Sequence, residues 1–138
     1  MAKITYITIV GKDYPMSFSL GAAKKIMEKY GGTGKLMKKM DESESDTEKL
    51  EMISDILALL IAQGCAYKNY FEADIPAPDN APVVDGKWTP LPKDIIDIAL
   101  GVSDSETMVK SINECISAGS KKDLSTKPTS KNAKTTRE

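Results

Sequence analysis

Few residues in this chain of 138 amino acids could carry out chemistry. The chain has no histidine, which removes the commonest general base and the commonest metal ligand. Cys65 and Cys115 stand far apart with no second pair near either, so their spacing argues against a zinc site. Because no nucleophile, general acid and general base can be assigned together, we predict that the protein is not an enzyme and needs no cofactor or metal.

Two short segments partly match ligand-binding loops. Residues 31–35 are rich in glycine and end in lysine, but a phosphate-binding loop needs glycine where Lys29 stands and serine or threonine where Leu36 stands. Residues 41–46 are acidic, but a calcium loop starting there needs glycine at its sixth position and glutamate in place of Met52. We interpret the first segment as a linker between helices and the second as a solvated loop.

The side chains best suited to bind a partner lie in the apolar stretch 45–72. Apolar residues recur there at spacings of three and four, which predicts one long α-helix. Ser45 and Glu48 match a capping box at its start. Other apolar residues widen the stripe until the middle of the helix is apolar nearly all round, unlike an ordinary surface helix. The helix is therefore the core of a small bundle, or it buries a second face against another chain.

We predict partner-binding residues on this helix and in the proline-rich loop 73–92 that follows it. The candidates are Ile56, Leu59, Ile61, Tyr67, Phe71 and Trp88. Trp88 is the only tryptophan, a residue enriched at binding hot spots, although a lone tryptophan in a loop more often folds back over the edge of a core. A charged residue in place of Leu59 would separate the two roles of the helix: unfolding would indicate a core, and loss of assembly an interface.

The other elements follow from strand alternation and turn residues. Segments 3–10 and 14–19 alternate on either side of a turn at 11–13, which predicts an N-terminal β-hairpin. Ser19 is the expected N-cap of a helix over 20–30, which Gly31 should end. Thr33 should cap a short helix over 34–40.

The C-terminal half should contain another hairpin and two more helices. The Asp-Gly pair inside 83–88 favours a type I′ hairpin turn. Prolines at 90 and 92 fit the first turn of a helix that reaches Leu100. Ser103 and Glu106 match a second capping box, and the last helix should end at Gly119.

Charge divides the chain into a body and a tail. Residues 1–119 hold 13 basic and 18 acidic side chains, a net charge of −5, while residues 120–138 hold 6 and 2, a net charge of +4. An acidic body argues against a nucleic-acid-binding fold, and the tail lacks the aromatic residues on which bases stack. We predict one mainly α domain over 1–119, a small bundle around one long helix with an N-terminal hairpin, followed by a disordered basic tail or linker over 120–138.

The sequence also indicates where the protein acts. Its longest uninterrupted apolar run, residues 56–62, is far shorter than the roughly 20 residues of a membrane span. The first strand begins directly after the start, without a recognisable signal peptide. We expect reduced cysteines, a cytoplasmic location and no membrane partner.

The order of elements resembles the tail assembly chaperones of long, non-contractile-tailed bacteriophages and prophages of Gram-positive bacteria. The resemblance rests on Pro-Met-Ser-Phe-Ser-Leu-Gly-Ala at 15–22 and Lys-Ile-Met-Glu-Lys-Tyr-Gly-Gly at 25–32. It extends in arrangement to about residue 119, through the long apolar helix and the two shorter ones. The two motifs are short, and the remainder of the resemblance is one of architecture.

The resemblance implies a non-enzymatic protein that coats the tape measure protein, keeps it soluble and recruits tail tube subunits. Such chaperones self-associate in the cytoplasm of the bacterial host and are absent from the finished virion. In many relatives a ribosomal frameshift adds a further domain, which the tail would tether here. Two alternatives remain: a nucleic-acid-associated protein of a phage or mobile element acting through its basic tail, and a structural tail component retained in the virion.

Overall fold

The protein is mainly α-helical, as predicted. The computed structural model describes residues 3–41 and 46–120, of which 61% are helical. These residues form two β-hairpins, five α-helices and a short 3-10 turn. The elements are β1 (Ile4–Ile9), β2 (Lys12–Ser17), α1 (Leu20–Tyr30), α2 (Thr33–Met40), α3 (Thr47–Phe71), β3 (Val83–Val84), β4 (Lys87–Trp88), α4 (Lys93–Ala99), the 3-10 turn (Val102–Asp104) and α5 (Ser105–Ser120). The predicted disordered tail, apart from Ser120, lies outside the described residues.

The N-terminal hairpin closes with a two-residue turn, slightly earlier than predicted. Val10 and Gly11 both have positive φ, 48° and 77°, as a type I′ turn requires. Ile9 therefore pairs with Lys12, and every second pair along the ladder exchanges hydrogen bonds. Pro15 stands opposite Tyr6, and these two residues form one of the pairs without hydrogen bonds between them. The missing N–H of proline therefore removes no hydrogen bond from the ladder.

The two short helices begin and end close to where the sequence indicates. Ser19 caps α1, and its hydroxyl accepts from the Ala22 amide at 3.1 Å. Gly31 ends the helix in the left-handed region with φ 83°. The predicted cap of α2 is wrong, because Thr33 is already helical and Gly32 occupies the N-cap position.

The long helix α3 starts from a different cap than predicted. The Asp46 carboxylate accepts from the backbone amide of Lys49 at 2.7 Å, so Asp46 is the N-cap and the predicted Ser45–Glu48 capping box is wrong. Ser45 itself lies outside the described residues. An aspartate satisfies the exposed amides of a first turn as well as a serine does, which makes neighbouring candidates hard to rank.

By length and composition alone, α3 could cross a membrane, with a mean hydropathy of 1.4, but 50% of that stretch is buried inside the protein. The hairpin, α5, α4 and α1 all pack against it. Its fully buried residues include Ile53, Leu57 and Leu60. The apolar surface around its middle is therefore explained largely by neighbours within the same chain.

Gly64 marks the closest approach of α3 to the hairpin. A Cβ atom there would overlap the carbonyl of Pro15 and lie 2.7 Å from the backbone nitrogen of Met16. Only glycine lets the helix and the strand β2 come this close. The contact fixes the position of the hairpin on the helix.

In the C-terminal half, the predicted second hairpin is confirmed, and the last helix has other bounds than predicted. Asp85 and Gly86 have φ of 52° and 79°, the type I′ turn expected of Asp-Gly. The predicted Ser103–Glu106 capping box is wrong, because α5 starts at Ser105 after the 3-10 turn.

Gly119 lies within α5 and does not end it. A Cβ there would be 2.8 Å from both the Cβ and the carbonyl oxygen of Phe18. The glycine therefore serves a close contact between α5 and the end of β2, and the helix continues past it to Ser120.

Candidate partner-binding groove

An exposed apolar groove of about 380 Å³ lies at the C-terminal end of α3. It is lined by Ser17, Ser19, Gln63, Ala66, Tyr67, Tyr70 and Phe71. Two of its aromatic side chains are largely open to solvent, Tyr70 at 82% and Phe71 at 67% exposed. Large aromatic residues are enriched at protein interfaces, so this groove is the strongest candidate for a binding surface.

The aromatic wall of the groove is a continuous cluster. The Phe71 ring lies 5.1 Å from the ring of Tyr67 and 5.0 Å from that of Tyr70, centroid to centroid, and both pairs are tilted. Tilted contacts at this distance are favourable for aromatic rings. Because the three residues share the last turns of one helix, the wall is built on a regular element.

The opposite wall is polar in composition, but its polar atoms are partly engaged in the fold. The Ser19 hydroxyl donates to Oε1 of Gln63 and accepts from the first turn of α1. Ser17 is buried at the end of β2. The groove therefore offers mainly apolar surface and is suited to an apolar side chain of a partner.

The structure brings two of the predicted partner-binding residues, Tyr67 and Phe71, together in this groove. Ile56 and Ile61 are 1% and 0% exposed and belong to the hydrophobic core, so they present no surface to a partner. Tyr70 was not predicted. Its position three residues after Tyr67 was the available indication, since residues three apart share a helix face.

Leu59 lies elsewhere on α3 and is partly buried. It borders a separate cavity of about 250 Å³ between α3 and α1, whose other lining residues include Lys25, Glu28 and Tyr30. This cavity is lined by charged groups as well as apolar ones. Leu59 is therefore not part of the aromatic groove.

Trp88 is partly buried and packs against the core. Oδ1 of Asn69 accepts from the Trp88 backbone amide, and Nδ2 of Asn69 donates to the Trp88 carbonyl, each at 2.8 Å. Nζ of Lys68 lies 5.4 Å from the centre of the indole, within cation–π range, and also pairs with Glu72 at 2.9 Å. The tryptophan thus folds back onto α3. Of the two roles considered from the sequence, this is packing over the edge of the core and not binding of a partner.

Replacing Asn69 with alanine should release the loop that carries Trp88. Two hydrogen bonds are lost, and we expect the free energy of unfolding to fall by about 1–2 kcal/mol. Because Trp88 is the only tryptophan, its fluorescence should shift to longer wavelength in the folded variant. Thr89→Ala, which removes a bond local to the same loop, serves as the control and should leave the emission unchanged. An unshifted Asn69→Ala spectrum would contradict the proposed anchoring.

A polar cavity of about 620 Å³ lies between α1, α3 and α4. Asp55 is one of its lining residues and accepts from Nζ of Lys29 at 2.7 Å and from the Tyr30 hydroxyl at 2.6 Å. Lys93 pairs with Glu51 at 2.5 Å. Since opposite charges face each other across the cavity, it is best explained as a set of ion pairs that ties α1 and α4 to α3.

The ionisation of Asp55 and Tyr30 reflects this arrangement. Burial alone would raise the pKa of Asp55, but hydrogen bonds from Lys29 and Tyr30 and the charge of Lys29 lower it below 3.8. The pKa of Tyr30 is raised by burial and by its hydrogen bond to Asp55. The ionised carboxylate and the neutral phenol are thus the stable pair at neutral pH.

Asp55→Asn should lower the free energy of unfolding by about 1 kcal/mol at pH 7, because the variant loses the charge that Lys29 and Tyr30 recognise. A depressed folded-state pKa contributes stability above the ordinary value of 3.8, and that contribution is lost as the pH falls through the folded-state pKa. Urea titrations should therefore show a difference in the free energy of unfolding between the parent and Asp55→Asn that is smaller at pH 3 than at pH 7. An equal difference at the two pH values would contradict the lowered pKa of Asp55.

Within residues 3–41 and 46–120, no cluster of three or more histidine, cysteine or carboxylate groups could hold a metal ion. Both thiols are buried. Burial raises the pKa of Cys65 to about 12 and also raises that of Cys115, so neither is activated as a nucleophile.

The aromatic groove is thus the feature of the described chain that best fits a binding role. Its residues come from three elements, β2, the cap of α1 and the end of α3, held together around the contact at Gly64. Comparisons of the chain with models of known protein families, with curated proteins and with solved structures found no significant match.

Proposed function

We propose that this protein is a non-enzymatic assembly chaperone for a bacteriophage tail. It would bind and solubilise the tape measure protein in the cytoplasm of the host, recruit tail tube subunits and leave before the virion is complete. The observation that carries the proposal is the aromatic groove, because Tyr70 and Phe71 expose apolar surface that a partner can bury. In this proposal the helices form a small bundle whose centre is α3.

The segments that resemble tail assembly chaperones contribute to this groove. Residues 15–22 include the end of β2 and the cap of α1, which supply Ser17 and Ser19 to the groove. Residues 25–32 complete α1, which packs on α3. The resemblance and the exposed apolar surface therefore concern the same region, which supports assigning the chaperone activity to it.

The client in this proposal is a helical protein. An apolar groove can receive the apolar side of an amphipathic helix. A long tape measure protein would present many such apolar positions, each of which would otherwise promote aggregation. Several copies of the chaperone would then cover one client chain, and the same apolar surface would support self-association of the free protein.

The proposal is tested by co-expression with a tape measure protein of a long-tailed phage. We expect the pair to co-purify, and Tyr70→Ser to weaken the complex about tenfold by removing an exposed aromatic contact. Ile98→Ser is the matched control, since Ile98 is 79% exposed on α4 and lies outside the groove. Circular dichroism should show that both variants keep the helical content of the parent.

Three results would overturn the proposal. The first is a strictly monomeric protein at high concentration that forms no complex with the tape measure protein. The second is an equal loss of binding in the Tyr70 and Ile98 variants, which would remove the groove from the interface. The third is the protein in purified virions at structural stoichiometry, found by mass spectrometry, which would identify it as a tail component.

A further inference from the structure

The segment between α3 and α4 lies on the outside of the protein. In residues 73–89, all of which the structure describes and which we call the strap, only Ala81 and Pro82 are buried. The backbone hydrogen bonds within the strap are local, such as the bond from the Thr89 amide to the Pro82 carbonyl at 2.9 Å. A segment that buries so few apolar side chains can open at a lower free energy than the core.

Two polar attachments connect the strap to the rest of the protein. Near its middle, the Asn80 carbonyl accepts from the Asp13 amide at 3.0 Å, and Nδ2 of Asn80 donates to the Asp13 carboxylate. Near its end, the side-chain amide of Asn69 exchanges two hydrogen bonds with the backbone of Trp88, each of 2.8 Å. Water can replace the partner in each of these bonds, so breaking them costs little net free energy.

The half-buried ring of Trp88 also contacts a charged group on α3. Nζ of Lys68 lies 5.4 Å from the centre of the indole and 5.5 Å from the centre of the Tyr6 ring. The same ammonium pairs with Glu72 at 2.9 Å. If the strap leaves, Lys68 keeps both Tyr6 and Glu72, so its charge is not left buried without a partner.

We propose that the strap opens as a unit while the helices and the N-terminal hairpin stay folded. Opening exposes Lys68 and Asn69, which belong to the same last turns of α3 as Tyr67, Tyr70 and Phe71. The closed strap is therefore a removable cover on the helix that carries the aromatic groove. This opening is a property of the chain alone and does not depend on the proposed function.

The opening is tested by native-state hydrogen exchange on the full chain, followed residue by residue by nuclear magnetic resonance in low concentrations of urea. The amides of Asp13 and Thr89 report on the strap, and the amides in the middle of α3 report on the core. We expect the strap amides to exchange at a lower opening free energy than the core amides. Their opening free energy should depend little on urea, because a local opening exposes little surface.

Two variants separate local opening from global unfolding. Ile53 is 0% exposed and lies roughly 24 Å along α3 from Asn69. Ile53→Val destabilises the protein equally with the strap open or closed, so the core amides should exchange about two- to tenfold faster and the strap amides at an unchanged rate. Asn69→Ala weakens only the closed state, so both sets of amides should exchange faster, by about tenfold.

Equal acceleration of strap and core amides in Ile53→Val would overturn the proposal, because the strap would then open only when the whole protein unfolds. Strap amides that exchange as fast as those of an unstructured peptide would also overturn it, because the strap would not be closed at all. Unchanged strap exchange in Asn69→Ala would do the same. None of these measurements needs a partner, so failure of the tape measure complex would leave their result standing.

Discussion

Replacing Gly64 with alanine should destabilise the protein by about 3 kcal/mol, at the upper end of the usual cost of overpacking. Alanine is more favourable than glycine within an α-helix by about 1 kcal/mol, so helix propensity alone predicts that this substitution stabilises the protein. The clash decides the result, because the new methyl group would overlap the Pro15 carbonyl and press on the Met16 backbone. Backbone atoms cannot rotate away as a side chain can, so α3 and β2 must separate.

Gly34→Ala is the matched control for this change. Gly34 is also helical, in α2, but an added Cβ would have no neighbour within 4 Å. We expect that variant to gain up to about 1 kcal/mol. Urea unfolding followed by circular dichroism measures both proteins. Equal effects at the two positions would show that the helix and the hairpin are less closely packed than described.

Replacing Ile61 with aspartate should leave the protein largely unfolded at 25 °C. Ile61 is 0% exposed within the core, and a carboxylate there would lose its hydration without gaining a partner. We expect a loss of more than about 4 kcal/mol, a large part of the 5–15 kcal/mol that stabilises a typical domain. Far-UV circular dichroism should show the loss of helix directly.

Leu59→Asp is the informative comparison on the same helix. Its side chain is only partly buried and borders the cavity against α1, where water can reach a carboxylate. We expect a smaller loss of about 1–2 kcal/mol and a folded protein. If both variants unfold alike, Leu59 belongs to the core as fully as Ile61 does. If Ile61→Asp keeps its helical content, the described core is wrong.

The local parts of the fold could be predicted because their causes lie within a few residues. The Ser19 cap, the Gly31 stop and the Asp85-Gly86 turn each depend on one side chain and the backbone beside it. The cap of α3 was misplaced by one residue, because Ser45 and Asp46 are both good caps and the choice between them needs the structure.

Contacts between distant residues could not be predicted in this way. Gly119 resembles a helix stop in sequence, but its absent side chain makes room for Phe18, about a hundred residues earlier. Ile56 and Ile61 resembled interface residues because the helix is apolar nearly all round. Which face remains exposed is decided by where the hairpin and α5 pack, and that choice buries Ile61 and leaves Tyr70 in solvent.

The packing of the N-terminal hairpin also sets the order in which the new chain can fold on the ribosome. A lone two-stranded hairpin is marginal in water. Its stabilising neighbours are Gly64 of α3 and Gly119 of α5, which are synthesised much later. The first strands therefore lack α3 until more than half of the domain has been synthesised, and they lack α5 until nearly all of it has been. During this interval the apolar side chains of the hairpin that α3 and α5 later bury are exposed, and exposed apolar surface favours aggregation.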